Sequence, residues 1–123
     1  MEKVLFSLLV VLGLSFSVGA QTEKLTAVSE SKTELTTSKT TGVYKFELPN
    51  RTAEDIEKSA QYYTHYFSVD FDESTNVATL TLTESEMTNR AVIARFLVAA
   101  KMSEVSVDGQ SMPVMDFMEE YLK

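Results

Sequence analysis

The chain has 123 residues, 11 basic and 18 acidic side chains, a formal charge of −7, and neither cysteine nor tryptophan. That length fits a single domain. Without thiols there are no disulfides, thiolate metal centres or thiol nucleophiles, and the negative balance argues against a protein that grips nucleic acid by neutralising phosphates.

Residues 1–20 read MEKVLFSLLVVLGLSFSVGA. Lys3 supplies a positive start, residues 4–16 are apolar apart from Ser7, Gly13 and Ser15, and Val18, Gly19 and Ala20 are small. This three-part pattern predicts a secretory signal cleaved after Ala20. A membrane anchor needs about 20 consecutive apolar residues, and this run is shorter. The expectation is a protein exported to the periplasm or the extracellular space, with no membrane span after cleavage. No cysteine follows the signal, so no lipoprotein anchor is expected.

Residues 21–41, QTEKLTAVSESKTELTTSKTT, are rich in Thr, Ser, Lys and Glu. Only Leu25, Ala27, Val28 and Leu35 are apolar, and Lys24, Lys32 and Lys39 balance Glu23, Glu30 and Glu34. So little apolar surface predicts a flexible arm. The threonines leave an edge strand as the alternative.

Residues 42–123 are expected to be the folded domain. They hold seven basic and fourteen acidic side chains, hence the whole −7. Tyr44, Phe46 and Leu48 alternate with Lys45 and Glu47, the pattern of a half-buried strand. Pro49 and Asn50 end it. Thr52 is suited to cap a helix with Glu54 and Asp55 in its first turn. Ile56, Ala60, Tyr63 and Phe67 then recur at helical spacing. Phe67, Val69 and Phe71 return to period two. Residues 72–76 read as a turn, and Ala78, Leu80 and Leu82 as the returning strand. Ser85 or Thr88 can cap a second helix, whose apolar face is Val92, Ile93, Phe96, Leu97, Ala99 and Ala100. Val105 and Val107 give a last short strand, and Asp108-Gly109 turns the chain. Pro113 suits a helix start, and Val114, Phe117, Met118, Tyr121 and Leu122 make an amphipathic terminal stripe.

The order β-α-β-β-α-β-α predicts an α+β, ferredoxin-like sandwich. Its four-stranded antiparallel sheet carries the helices on one face, with an extra C-terminal helix. The residues facing away from the helices, Lys45, Glu47, Ser68, Asp70, Thr79, Thr81, Ser106 and Asp108, are all polar, which predicts an open, wetted sheet face. Such a face lacks the exposed aromatics of a single-strand RNA platform.

Within this pattern, residues 66–82, YFSVDFDESTNVATLTL, and the helix start AEDIEKSA at 53–60 resemble the heavy-metal-associated domain, a small βαββαβ module that carries copper(I) and other soft metals. The resemblance covers residues 43–108. It implies a metal site at a Cys-x-x-Cys pair in the loop before the first helix. Counted back from Ile56, those positions fall at Pro49 and Thr52, in LPNRTAED. Neither supplies sulfur, and soft metals need soft ligands. The resemblance therefore carries the scaffold and not the metal function.

Other candidate sites are each matched by a simpler explanation. Met112, Met115 and Met118 repeat every third residue, and thioethers can hold copper(I) or silver(I), although methionine more often fills irregular core space. The terminal stripe of Val114, Phe117, Met118, Tyr121 and Leu122 is either core or a partner-binding helix. His65, the single histidine, falls on the outer face of the first helix without a second ligand or carboxylate. Asp70, Asp72, Glu73, Ser74 and Asn76 hint at a calcium loop, but Thr75 and Thr81 stand where glycine and glutamate are required. Arg90, Arg95 and Lys101 read as a solvated basic strip, and Tyr62 and Tyr66 as the rim of the core.

No nucleophile–base pair or cofactor motif is visible, so no enzyme and no cofactor are expected. The sequence favours a non-enzymatic binding module with an exported protein partner, monomeric or weakly dimeric. Soft-metal binding through the C-terminal methionines is the alternative.

Overall fold

A computed structural model of the chain describes residues 25–123. The expected signal at 1–20, and residues 21–24 of the expected arm, lie outside the described residues. Six strands form one sheet: β1 (Leu25–Ser29), β2 (Val43–Glu47), β3 (Phe67–Asp72), β4 (Val77–Leu82), β5 (Met102–Val107) and β6 (Gln110–Pro113). The helices are α1 (Lys32–Thr41), α2 (Ala53–Ala60), α3 (Met87–Ala99) and α4 (Val114–Phe117), the last running into a wider π-helical turn, Met118–Leu122. The sheet order is β3-β4-β2-β1-β5-β6. Every pairing is antiparallel except β1 with β5. The protein is α+β with a mixed sheet.

The period-two residues bury one side of each strand. Tyr44, Phe46 and Leu48 on and just after β2, and Ala78, Leu80 and Leu82 on β4, are buried with Ile56 of α2 and Val92, Ile93, Phe96 and Leu97 of α3. Lys45, Glu47, Ser68, Asp70, Asp72 and Thr81 are exposed on the other side. An antiparallel sheet tolerates one wet face. Helix α2 starts where its capping box closes: Thr52 Oγ1 accepts from the Asp55 N–H, and Asp55 Oδ2 from the Thr52 N–H, both at 3.1 Å. It ends at Ala60, short of the predicted face. Tyr63 lies in the following turn and Phe67 opens β3, yet their rings remain stacked with centroids 6.2 Å apart. Helix α3 is N-capped by Glu86, without a side-chain cap bond, rather than by Ser85 or Thr88. The Ser85 hydroxyl is taken by the Lys39 carbonyl instead.

Three expectations are corrected. Residues 25–41, read as part of a flexible arm, form β1 and α1. Leu25, Ala27 and Leu35 are few, but each is buried, because β1 lies between β2 and β5 and needs little apolar surface of its own. Helix α1 is defined by a Ser31–Glu34 capping box and by Gly42, which takes the left-handed conformation (φ 77°) and donates its N–H to the Ser38 carbonyl at 2.7 Å. The second correction is the sheet. It has six strands, not four, and is not purely antiparallel. β2 and β3 are parallel with β4 between them, a split βαβ unit. β4 and β5 are also parallel, but two strands, β2 and β1, separate them. The third is the C-terminal segment. Asp108 (φ 51°) and Gly109 (φ 83°) both take positive φ and make a hairpin turn, so Gln110–Pro113 returns along β5 as β6 before α4 begins.

The terminal stripe faces inward. Val114, Phe117 and Leu122 are buried, and Met118 and Tyr121 pack half-buried against the same core. Phe117 sits edge-on to Phe46, centroids 5.8 Å apart. No helix among the described residues is long and apolar enough to cross a membrane.

Candidate functional site

A sheet has two edges, and here they differ. β6 is four residues long and ends in Pro113, which has no N–H to offer. Short edge strands and proline are devices that block further pairing. β3 is six residues long and contains no proline.

The hydrogen-bond phase along β4 fixes which groups β3 presents. The Thr83 N–H donates to the Tyr66 carbonyl at 2.9 Å, while Leu82 donates to Gly42 at 2.8 Å on the opposite side. Antiparallel pairs alternate between bonded and non-bonded positions. Ser68, Asp70 and Asp72 therefore bond to Thr81, Thr79 and Val77 of β4. Val69 and Phe71 direct their N–H and C=O groups to the free edge. The Phe67 N–H is occupied by the Tyr63 carbonyl at 3.2 Å, which closes that end.

Above this edge, α2 and β3 enclose an open groove of about 510 Å³. Buried Ile56 and Phe67 form its floor, and half-buried Ala60, Val69 and Phe71 its walls. Ala53, Glu57, Gln61 and Thr64 line its rim. At one end Glu73 Oε2 accepts from the Ala53 N–H at 2.8 Å and ties the β3–β4 turn to the start of α2. One stretch of backbone thus combines amides that are unpaired among the described residues with an apolar trough.

The surroundings are acidic. Asp70 and Asp72 stand on the open face of β3, and Glu57 on the rim. Glu54 is paired with Lys58 at 3.5 Å. Asp72 Oδ1 accepts from both the hydroxyl and the N–H of Ser74, at 2.6 and 2.9 Å, and these bonds hold its carboxyl below the usual pKa. The Thr52 hydrogen bonds of the capping box do the same for Asp55.

The sequence candidates are distributed as follows. Thr52, at one degenerate metal-loop position, spends its side chain capping α2, and Pro49 begins the turn before it. Met112 lies on β6 opposite Val105, packed against the core. Met115 is 56% exposed and lines a different groove, of about 410 Å³, together with Met118 and with Met87 from α3. The structure separates Met112 from the other two and brings Met87 to them. His65 is exposed, its ring edge-on to Tyr66. The acidic turn is held internally through Ser74 and Ala53, and no group of three His, Asp or Glu suited to a metal ion occurs among the described residues. Of the basic strip, Arg90 is tied to the Leu122 and Ser85 carbonyls at 2.9 and 3.1 Å, and Arg95 and Lys101 are exposed. Tyr62 is exposed and Tyr66 half-buried.

Val69 and Phe71 are functional candidates that sequence reasoning missed. Their alternation marks them as one face of a strand. That they lie on the sheet's outer edge with free backbone groups follows only from strand order.

Searches against protein-family models, curated proteins and solved structures give no match for this chain.

Proposed function

We propose that this protein is an exported, non-enzymatic interaction module that binds an extended segment of a partner protein along β3. The observation that carries this reading is the coincidence of the Val69 and Phe71 amides, unpaired among the described residues, with the apolar groove between α2 and β3. Strand addition draws affinity from main-chain hydrogen bonds and specificity from pockets that take alternate side chains. Export rests on the leader pattern in residues 1–20. The scaffold is a ferredoxin-like, heavy-metal-associated-like core of β2-α2-β3-β4-α3-β5, with β1 inserted between β2 and β5.

Selection from a random heptapeptide library, with binders footprinted by backbone amide shifts, tests the docking site. Footprints centred on Val69, Phe71 and α2 support it. Binders that consistently perturb the β6 edge or the α3–α4 surface overturn it. N-terminal sequencing of the protein from an exported fraction checks cleavage after Ala20.

A second reading has one observation in its favour. Met87, Met115 and Met118 line one groove, and three thioethers can hold copper(I) or silver(I). Arg95 and Lys123 line the same groove and oppose a cation there. Silver(I) titration followed through the methionine methyl signals decides it. Shifts confined to Met87, Met115 and Met118 support the site, and unchanged methyl signals remove it.

A further inference from the structure

We infer that the segment taken up by β3 alternates apolar residues with lysine or arginine, a specificity that rests on the docking reading above. A strand laid beside β3 sends alternate side chains to opposite faces of the sheet. Those on the helix side, next to Val69 and Phe71, descend into the trough floored by Ile56 and Phe67. An apolar side chain satisfies that face. Those on the open side lie beside Ser68, Asp70 and Asp72. Opposite charges on neighbouring strands attract, and like charges repel. Across the open face from these carboxylates the next rows are Thr79 and Lys45, and Val77 and Glu47. The β3 end is therefore acidic, and Lys45 is two strands away. Glu57 adds a third carboxylate on the groove rim.

The same charges disfavour a second copy of this chain as the occupant. Antiparallel self-pairing through the free amides must bring Val69 or Phe71 opposite Val69 or Phe71. Two of the three such registers, Phe71 with Val69 and Phe71 with Phe71, set Asp70 against Asp70 or Asp72, and only the shortest, Val69 with Val69, sets Asp70 against Ser68. Charged residues on an edge strand are a recognised defence against such self-association. A basic partner strand turns that defence into attraction.

The test uses two blocked seven-residue peptides, one alternating lysine with valine and one alternating glutamate with valine, titrated into the purified protein. The amide shifts and hydrogen-exchange protection of Val69 and Phe71 are the readout. The lysine peptide is expected to bind about tenfold more tightly, from two or three exposed charge pairs. The preference shrinks at about 1 M salt, where screening extends only ~3 Å. The double variant Asp70→Lys with Asp72→Lys reverses it. Equal protection by both peptides overturns the basic specificity and leaves strand addition standing. Protection by neither overturns strand addition itself. Protection without peptide also overturns the assignment: concentration-dependent protection gives the edge to a second copy, and concentration-independent protection gives it to a segment of the same chain.

Discussion

Arg90 Nε donates to the Leu122 carbonyl at 2.9 Å, joining the first turn of α3 to the last turn of the chain. A second guanidinium nitrogen reaches the Ser85 carbonyl. Lys39 of α1 donates to the Lys123 carbonyl at 2.8 Å. Two helices, α3 and α1, thus hold the C-terminus. Hydrogen bonds to charged groups contribute about 1.5–3 kcal/mol. Arg90→Met is expected to cost that much in denaturant unfolding and to raise hydrogen exchange in Met118–Leu122 first.

Phe117 fills the space between the sheet and the terminal turn, fully buried and edge-on to Phe46. Phe117→Ala should destabilise the protein by about 3–5 kcal/mol. Removing residues 114–123 should leave no cooperative thermal transition, because Val114 and Leu122 are buried with it. A truncated protein with an unchanged melting temperature would show that the terminal stripe is not core.

The Tyr44 hydroxyl is buried without a hydrogen-bond partner among the described residues. An unsatisfied buried polar group costs about 1–3 kcal/mol. Tyr44→Phe should therefore raise stability by about 1 kcal/mol at neutral pH. Burial, reinforced by Glu30 and opposed by Arg90, pushes the phenol from 10.0 up to about 12. Between those values the unfolded chain loses the proton and the native chain keeps it, so stability falls as pH rises through that window. Denaturation midpoints followed upwards from about pH 9, just below the ordinary phenol pKa, should decline less steeply in the phenylalanine variant.

The bonding phase of β3 makes adjacent positions respond differently to proline. The Val69 N–H points off the sheet, whereas Asp70 is bonded to β4. Val69→Pro should cost no more than about 1 kcal/mol, and Asp70→Pro about 3 kcal/mol or more. Equal costs would place the free amides elsewhere. Val69→Pro should also abolish peptide binding at this edge.

Gly42 closes α1 at φ 77°, with ordinary van der Waals room for a methyl group, its nearest neighbour being Leu82 Cβ at 3.6 Å. The expected loss in Gly42→Ala is therefore conformational, about 1 kcal/mol. Thermal unfolding of the pair measures it.

The central β2–α2–β3–β4–α3–β5 order was legible because periodicity and capping agree there. Tyr44, Phe46 and Leu48 alternate, and Thr52 with Asp55 closes a capping box at the helix start. Residues 25–41 misled for a physical reason. A strand buried between two others borrows its stability from them, so Leu25 and Ala27 suffice where an isolated strand would need more. Helix α1, with Leu35 as its single large apolar side chain, is marked mainly by Ser31, Glu34 and Gly42. Asp108-Gly109 did signal a turn, but the polar Gln110 and Ser111 hid the strand that follows. The candidate site was the least legible part. Period two identifies Val69 and Phe71 as neighbours on one face, and nothing local says that their strand has no partner on one side among the described residues.

β1 has a consequence for how the chain reaches this structure. Its parallel neighbour β5 lies far along the chain, and the Ser103 hydroxyl that bonds the Leu25 carbonyl is 78 residues away. Contacts of such long sequence separation slow folding, because the loop must close before they are rewarded. A chain emerging N-terminus first holds β1 with one side unpaired until β5 has followed. The first of the described strands to be made is among the last to be sealed, and its open side is the surface a chaperone would have to shield.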